Sequence, residues 1–367
     1  MKILFLSLMN GSHWGGSEEM WYRTALWMSE NGHSIGVCCY DWAGKQEKLA
    51  QLKDNGAAIF LLPQKKGLFY SKKLRSVLNK VPFENYDLVF VNQGGYKEVV
   101  YPPFNELYKR FNKYSLSFHN YDETETLSSS RRASLKAWME NAAINIAAAR
   151  KVFQFIENKF RFTLSRKEVW VNPITIIYPG NPATYPPLAN GNYTWTMLAE
   201  LDVLRKSQDM LIQVLSSAKW KERNWQFHLY GKGKDEGLLK QLIREKGLSE
   251  KVILQGYTND VRSVLENTHL LFQCTRIDAM PISVVEAMSM ARPCVVSKVG
   301  DMPYWIEDGK NGFVIDPLTL SAIDNKLEDC WQQKDNWEKL GRNAFEVFQQ
   351  KYPHHYGKEV ASRILSL

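Results

Sequence analysis

The feature that most constrains this chain is a repeated exchange between short apolar runs and segments of helical period. Lys2 to Leu8 reads as a buried strand, Ser17 to Asn31 as a helix and Ser34 to Tyr40 as the next strand. Ala57 to Leu62, Asp87 to Asn92, Tyr114 to Phe118, Lys151 to Ile156 and Thr175 to Tyr178 continue the series. A second series runs through Tyr193 to Ala199, Gln226 to Tyr230, Val252 to Gln255, Leu270 to Cys274, Cys294 to Ser297 and Phe313 to Ile315. Strand–helix alternation of this kind builds a parallel sheet with helices on both faces. Between the two series, residues 179–192 hold four prolines and two glycines, which forbids a helix or a central strand. The expectation is an α/β chain of two doubly wound, Rossmann-like domains facing a cleft: residues 1–180, a linker at 181–192, and residues 193–350.

A chain of 367 residues is long enough for two such domains. With 44% hydrophobic and 23% charged residues it is globular, and no apolar run approaches the ~20 residues needed to span a bilayer. The apolar start, MKILFLSLMNGSHWGG, has no small-residue cleavage site and reads as a first strand rather than a signal peptide. Five cysteines, an odd number without metal-ligand spacing, fit a reducing compartment, so a cytoplasmic location is expected. A net charge of +8 admits nucleic acid, anionic lipid or phosphorylated substrates as partners. No nucleic-acid motif accompanies it, so nucleic acid is not expected. The segment Lys65 to Leu78 sets five basic residues beside Leu, Phe and Val. It suits peripheral contact with an anionic membrane face, and an ordinary amphipathic surface helix equally well.

The chemistry concentrates in Leu270 to Ser297. A buried strand runs into a short loop, then a helix from about Ile282, then a second buried strand. Asp278 and Glu286 place one carboxylate beyond the strand and another on the helix, in the kind of crevice where open α/β sheets bind ligands. The helix start offers backbone N–H groups, those of Ile282 and Ser283, to an anion. Acids for hydroxyls beside a helix N-terminus for phosphate suit a sugar nucleotide. Lys206 stands just before another helix start, where an ammonium can neutralise a departing pyrophosphate. Gly15-Gly16-Ser17 follows the first strand and lets backbone approach a ligand, although strand-to-helix turns commonly use glycine. The turn lacks both a P-loop and a Gly-x-Gly-x-x-Gly pattern, which argues against an ATPase and an NAD dehydrogenase. His119 ends a first-domain strand at its carboxyl end. His354-His355 has no acid or Cys at ligand spacing, and no metal or cofactor is expected. Trp220 and Trp225 flank a charged turn, where packing is the leading explanation and contact with an acceptor sugar the other.

The segment Asp278-(seven residues)-Glu286-Ala287-Met288 resembles the acid-x7-acid signature of family 4 of the retaining glycosyltransferases, the glycosyl transferases group 1. The resemblance continues in Val299-Gly300, Trp305 to Gly309 and Asn311-Gly312-Phe313, and upstream in Lys206 to Asp209, Tyr230 to Gly233 and Val252 to Val264. The N-terminal half matches at Trp14 to Glu18, Gly32-His33 and Phe118-His119. The resemblance implies the GT-B fold, with a last helix, here Lys351 to Leu367, returning to the first domain. It implies a metal-independent enzyme moving sugar from a nucleoside-diphosphate sugar to a glycan, lipid-linked or small-molecule acceptor. Glu286 would accept hydrogen bonds from ribose hydroxyls, Asp278 would contact the donor sugar, and Ile282 and Ser283 the distal phosphate. Tyr257, Thr258 and the Gly231 turn would hold the base end, Gly15 and Gly16 would line the reaction centre, and His119 would face the donor sugar. Two departures stand out. Asp278 replaces the usual Glu, and Glu200 stands where the family has Arg, with Arg205 beside Lys206 as the substitute cation. A sugar-nucleotide epimerase on the same fold and a non-catalytic nucleotide-sugar-binding protein remain the alternatives.

Overall fold

The computed structural model describes every residue except 11–13, 65–68, 122, 123, 125 and 179. The chain divides into two compact units, Met1–Pro173 with Pro353–Leu367, and Ile174–Tyr352. In the first, seven strands form one parallel sheet: β1 (Lys2–Ser7), β2 (Ser34–Tyr40), β3 (Ala58–Leu62), β4 (Leu88–Gln93), β5 (Tyr114–Phe118), β6 (Ile144–Ala147) and β7 (Lys167–Val169). Their order is β3-β2-β1-β4-β5-β6-β7. Helices cover both faces of such a sheet, so central strands are buried throughout and read as continuous apolar runs, as Ile3 to Leu6 and Leu88 to Val91 do. The last helix, Tyr356–Leu365, packs on the helix Gly16–Glu30 within this unit. A Cβ at Gly357 would lie 2.6 Å from the Arg23 carbonyl oxygen, so only glycine permits this approach. Lys351, expected to open that final helix, instead ends the preceding one, Trp337–Lys351.

Two expected strands of this half are corrected. Lys151 to Ile156 lies in the helix Arg150–Phe160, whose buried Val152, Phe153 and Ile156 share one face at helical spacing. The strand is the shorter Ile144–Ala147 just upstream. Thr175 to Tyr178 has no regular structure; the sheet ends instead at Lys167–Val169, whose two charged residues give no apolar signal. The described part of the basic segment includes the helix Tyr70–Lys80, in which Leu74 and Leu78 are buried while Lys72, Lys73, Arg75 and Lys80 are exposed. Its apolar side therefore serves the protein core, leaving Phe69, among the described residues, as a large exposed hydrophobic beside the cations. Lys65 to Leu68 lie outside the described residues. No helix among the described residues is long and apolar enough to cross a membrane.

The second unit holds a six-stranded parallel sheet of β8 (Tyr193–Leu198), β9 (Trp225–Tyr230), β10 (Val252–Gly256), β11 (Leu270–Gln273), β12 (Cys294–Ser297) and β13 (Gly312–Ile315), in the order β10-β9-β8-β11-β12-β13. Its core is built on tryptophan. Trp195 stacks on Trp225 with centroids 5.1 Å apart, and Trp220, Trp331 and Trp337 meet it edge-on. Trp220 and Trp225 are fully buried, so packing accounts for both and neither is placed to touch an acceptor sugar. Each such aromatic pair adds about 0.5–1.5 kcal/mol beyond the area it buries. The passage between units falls at Pro173–Ile174, ahead of the proline-rich stretch, and residues 181–192 lie within the second unit. Fully buried Arg292 holds that stretch by donating to the Thr184 carbonyl at 2.7 Å, and the Tyr185 hydroxyl donates to the His269 carbonyl at 3.0 Å.

Candidate active site

The second sheet reverses its order between β8 and β11, so the loops leaving those two strands flank the ligand-binding position of an open parallel sheet. After β8 the chain enters a one-turn helix, Val203–Lys206, capped by the Asp202 carboxylate, which accepts from the Arg205 N–H at 3.2 Å. Ser207 follows in the left-handed region (φ 54°) and starts the next helix, Gln208–Leu215. After β11 the loop is stitched to this turn. Thr275 Oγ1 and the Arg276 N–H both donate to the Arg205 carbonyl, at 2.6 and 2.8 Å. The result is a direct ion pair between two residues expected to act separately: Lys206 Nζ lies 2.5 Å from Asp278 Oδ2, with both side chains largely buried.

Gly300 fixes the backbone of that loop. It sits at φ 58°, and a Cβ there would fall 2.2 Å from the Ala279 carbonyl oxygen and 2.4 Å from that of Asp278. The Asp301 N–H donates to the Ala279 carbonyl at 2.8 Å. The helix Ile282–Ser289 begins four residues beyond Asp278, and the first-turn N–H groups of Ile282 and Ser283 have no acceptor within their own helix. Glu286, buried one turn in, is held by a residue that sequence reasoning missed. Thr175 donates to Glu286 Oε1 from its backbone N–H at 2.8 Å and from its hydroxyl at 2.6 Å. Thr175 stands 111 residues upstream in irregular chain, so no local pattern marks it.

A cavity of about 360 Å³ lies at the carboxyl ends of β8, β9 and β10, lined by Tyr230, Gly231, Lys232, Tyr257, Thr258 and Glu200 among others. A Cβ at Gly231 (φ 148°) would strike the Ala199 carbonyl at 1.9 Å, so the turn needs glycine for packing before any ligand is considered. Tyr257 is 65% exposed and lines this space. Glu200 thus belongs with Tyr257 and Thr258, and its carboxylate takes a 3.4 Å contact from the Arg205 guanidinium, both side chains half-exposed. Arg205 pairs with Glu200, and Lys206 pairs with Asp278.

The remaining expected residues lie in the first unit. Gly15 precedes the helix Gly16–Glu30 in extended conformation, and a Cβ there would meet nothing within 4 Å. Among the described residues no steric demand accounts for that glycine. His119 is buried at the end of β5, its Nε2 2.7 Å from Asn92 Oδ1 and its Nδ1 2.7 Å from Asn172 Oδ1. Asn92 is oriented by donating Nδ2–H to Glu18 at 2.8 Å, so its oxygen faces the imidazole and Nε2 carries the proton. Burial lowers the His119 pKa to about 4, opposed by the Asn172 contact, so the ring is neutral. Its Nδ1 is then an acceptor, matched when the Asn172 amide presents its NH₂. Behind it lies a second feature that sequence reasoning missed. Glu18 and Lys45 form a fully buried ion pair, and Ser7 and Trp21 also donate to the Glu18 carboxylate. The available signal was Asn92 and Gln93, polar residues ending an otherwise apolar central strand. Among the described residues no three His, Cys, Asp or Glu side chains group as metal ligands.

Residues 194–347 match the family model described as Glycosyl transferases group 1. The second unit is a group 1 glycosyl transferase domain. Among curated relatives, the poly(ribitol-phosphate) alpha-N-acetylglucosaminyltransferase of Staphylococcus aureus (strain COL) is 29% identical over 148 residues, 40% of this chain and 30% of that protein. The alpha-D-kanosaminyltransferase of Streptomyces kanamyceticus is 26% identical over 149 residues, 40% and 39% of the two chains. These matches span well under half the length of the relatives. The whole chain is similar in fold to Anabaena Alr3699/HepE, solved in complex with UDP, with a TM-score of 0.77, 19% identity and full coverage of both chains. It is similar also to a glycosyltransferase from Rickettsia africae ESF-5, with a TM-score of 0.77, 16% identity and 99% and 98% coverage. The two Rossmann-like units are those of the GT-B fold.

Proposed function

We propose that this chain transfers a sugar from a nucleoside-diphosphate sugar to an acceptor hydroxyl, with retention of anomeric configuration and without a metal. The observation that carries the reading is the Lys206–Asp278 pair set before the helix Ile282–Ser289, inside the segment matching the glycosyl transferase family. In this reading the distal phosphate of the donor takes the Ile282 and Ser283 N–H groups and the Lys206 ammonium, so negative charge growing on the leaving diphosphate meets preorganised donors. Asp278, released from Lys206, accepts hydrogen bonds from donor-sugar hydroxyls, and Glu286 does so from the ribose. The base lies against Tyr257 and Thr258 above the Gly231 turn. Gly15, Gly16 and His119 are assigned to the reaction centre. A neutral His119 gives no cation there, and its ring nitrogens are committed to Asn92 and Asn172, so its part is to position the end of β5.

The names of the relatives support glycosyl transfer, and the UDP complex of the Anabaena neighbour supports a nucleotide donor. Retention rests on the resemblance of Asp278 and Glu286 to the acid-x7-acid pattern. The acceptor is a glycan or lipid-linked molecule, reached at an anionic membrane through the cations of the helix Tyr70–Lys80 and Phe69. Calorimetry with UDP and GDP in excess chelator tests the donor assignment: binding is expected, and no binding of either would end it. Proton NMR of the first-formed glycoside tests stereochemistry, a retained anomeric configuration being the expected result and an inverted one the refutation.

A further inference from the structure

Glu286 is 4% exposed and lies one turn into its helix, so its carboxylate must be met by donors that the fold supplies. Thr175 brings two of them to the same oxygen, Oε1, from its backbone N–H at 2.8 Å and its hydroxyl at 2.6 Å. Two hydrogen bonds from one residue fix the place of Oε1 and the rotation of the carboxylate plane. They also occupy the two lone pairs of that oxygen, so the reading of a ligand's hydroxyls falls to Oε2. Thr175 is itself exposed, so its side chain is not there to fill the core.

A loose chain could not hold this orientation, and the chain around Thr175 is clamped. The Ile174 N–H donates to the Tyr352 hydroxyl at 2.9 Å, joining the first residue of the second unit to its last. Ile176 is buried, and the Tyr178 ring stacks on Phe348 with centroids 5.5 Å apart, which stacks in turn on Tyr352 at 4.9 Å. Phe348 belongs to the helix Trp337–Lys351, on which the helix of Glu286 also packs. The approach there is close, since a Cβ at Gly341 would fall 2.0 Å from the carbonyl oxygen of Ala291, just beyond the Glu286 helix. Donor and acceptor are thus referred to one platform, the condition under which a binding group keeps its geometry. Resting on the reading in which Glu286 takes the ribose, we infer that Thr175 is a positioning residue for nucleotide recognition. Its hydroxyl sets the carboxylate so that a ribonucleotide binds in preference to its 2′-deoxy form. A site built to bond a hydroxyl rejects the analogue that lacks it, because a buried polar group is then left unpaired. That penalty persists only while the carboxylate cannot turn, which is what Thr175 secures.

Calorimetry on the full chain with UDP, GDP and their 2′-deoxy forms measures this preference. The wild type is expected to bind the ribonucleotide more tightly. Thr175→Val keeps the shape and the backbone N–H but loses the hydroxyl. It is expected to bind the ribonucleotide about tenfold more weakly and the deoxy form with little change, so that the preference shrinks. Thr175→Ser, which retains a hydroxyl, is expected to retain the preference. Thr175→Ala is expected to behave as Thr175→Val and covers a Val variant that does not fold. A preference kept by folded Thr175→Val or Thr175→Ala, or lost equally in Thr175→Ser, would overturn the inference and reduce Thr175 to a structural tie. Equal binding of both forms by the wild type would take Glu286 off the ribose, and no binding of UDP or GDP would end the transfer reading; either removes the ground of the inference. Where the wild type shows the preference, the variants test Thr175 alone.

Discussion

At position 200 the chain carries a carboxylate where the family resemblance implies a guanidinium, and the structure pairs that carboxylate with Arg205. Glu200 borders the cavity of Tyr257 and Thr258 and neutralises Arg205, while Lys206 is committed to Asp278. Glu200→Arg would set two guanidinium groups against each other, so unchanged or lower turnover is expected in initial-rate measurements. Lys206→Ala removes the cation assigned by the proposal to the leaving diphosphate and leaves Asp278 largely buried without it. A loss of about 10²–10³ in kcat is expected, the effect of one well-placed transition-state donor. A large gain from Glu200→Arg with no loss from Lys206→Ala would refute these assignments. His119 makes a separate prediction through its proton. Unfolded, it titrates near its ordinary value of 6.5; folded, burial delays protonation to about pH 4. Between those values the unfolded chain binds more protons, so stability is lost as pH falls through the window, by about 3 kcal/mol at most. Burial shifts His269 the same way. Urea midpoints near pH 7 and about pH 5 should drop for the wild type and drop less for His119→Gln.

Secondary structure was legible wherever one residue pattern had one physical solution. The central strands β1, β4, β11 and β12 are mostly continuous apolar runs and β5 and β8 alternate apolar residues with Ser or Thr, so each could be read directly. Failure came where the period was ambiguous, as in Val152, Phe153 and Ile156, or where a strand was short and charged, as in Lys167–Val169. The loop after β11 was legible as part of the candidate site because Asp278, Glu286 and the helix start are close in sequence. Thr175 and the Glu18–Lys45 pair were not, since contacts across long sequence separations leave no local spacing to detect. Gly300 belongs at this scale, for it seats one loop upon another. Gly300→Ala combines positive φ with overlap onto the Asp278 and Ala279 carbonyls, and a cost of at least about 1–3 kcal/mol is expected. Thermal unfolding should show that loss, and calorimetry should show weaker nucleoside-diphosphate binding. An unperturbed Tm with intact binding would mean that the loop does not depend on this close approach.

For the molecule as a whole, a net charge of +8 and the exposed cations of the helix Tyr70–Lys80 predict salt-sensitive attachment to acidic vesicles. Flotation with acidic liposomes at low and high salt measures it. Release at high salt is expected, while equal attachment to neutral vesicles, or none at all, would remove the membrane from the reading. With Leu74 and Leu78 turned inward, the attachment must be chiefly electrostatic. The division of the chain has a further consequence for biosynthesis. Ile174–Tyr352 is one continuous stretch, but Met1–Pro173 lacks the helix Tyr356–Leu365 until the second unit has been made. Emerging from a ribosome, the unit begun first is therefore the one finished last. Until then the surface of the helix Gly16–Glu30 that receives Tyr356, Val360 and Ala361 is uncovered, a nascent-chain target for chaperones that the continuous second unit does not present.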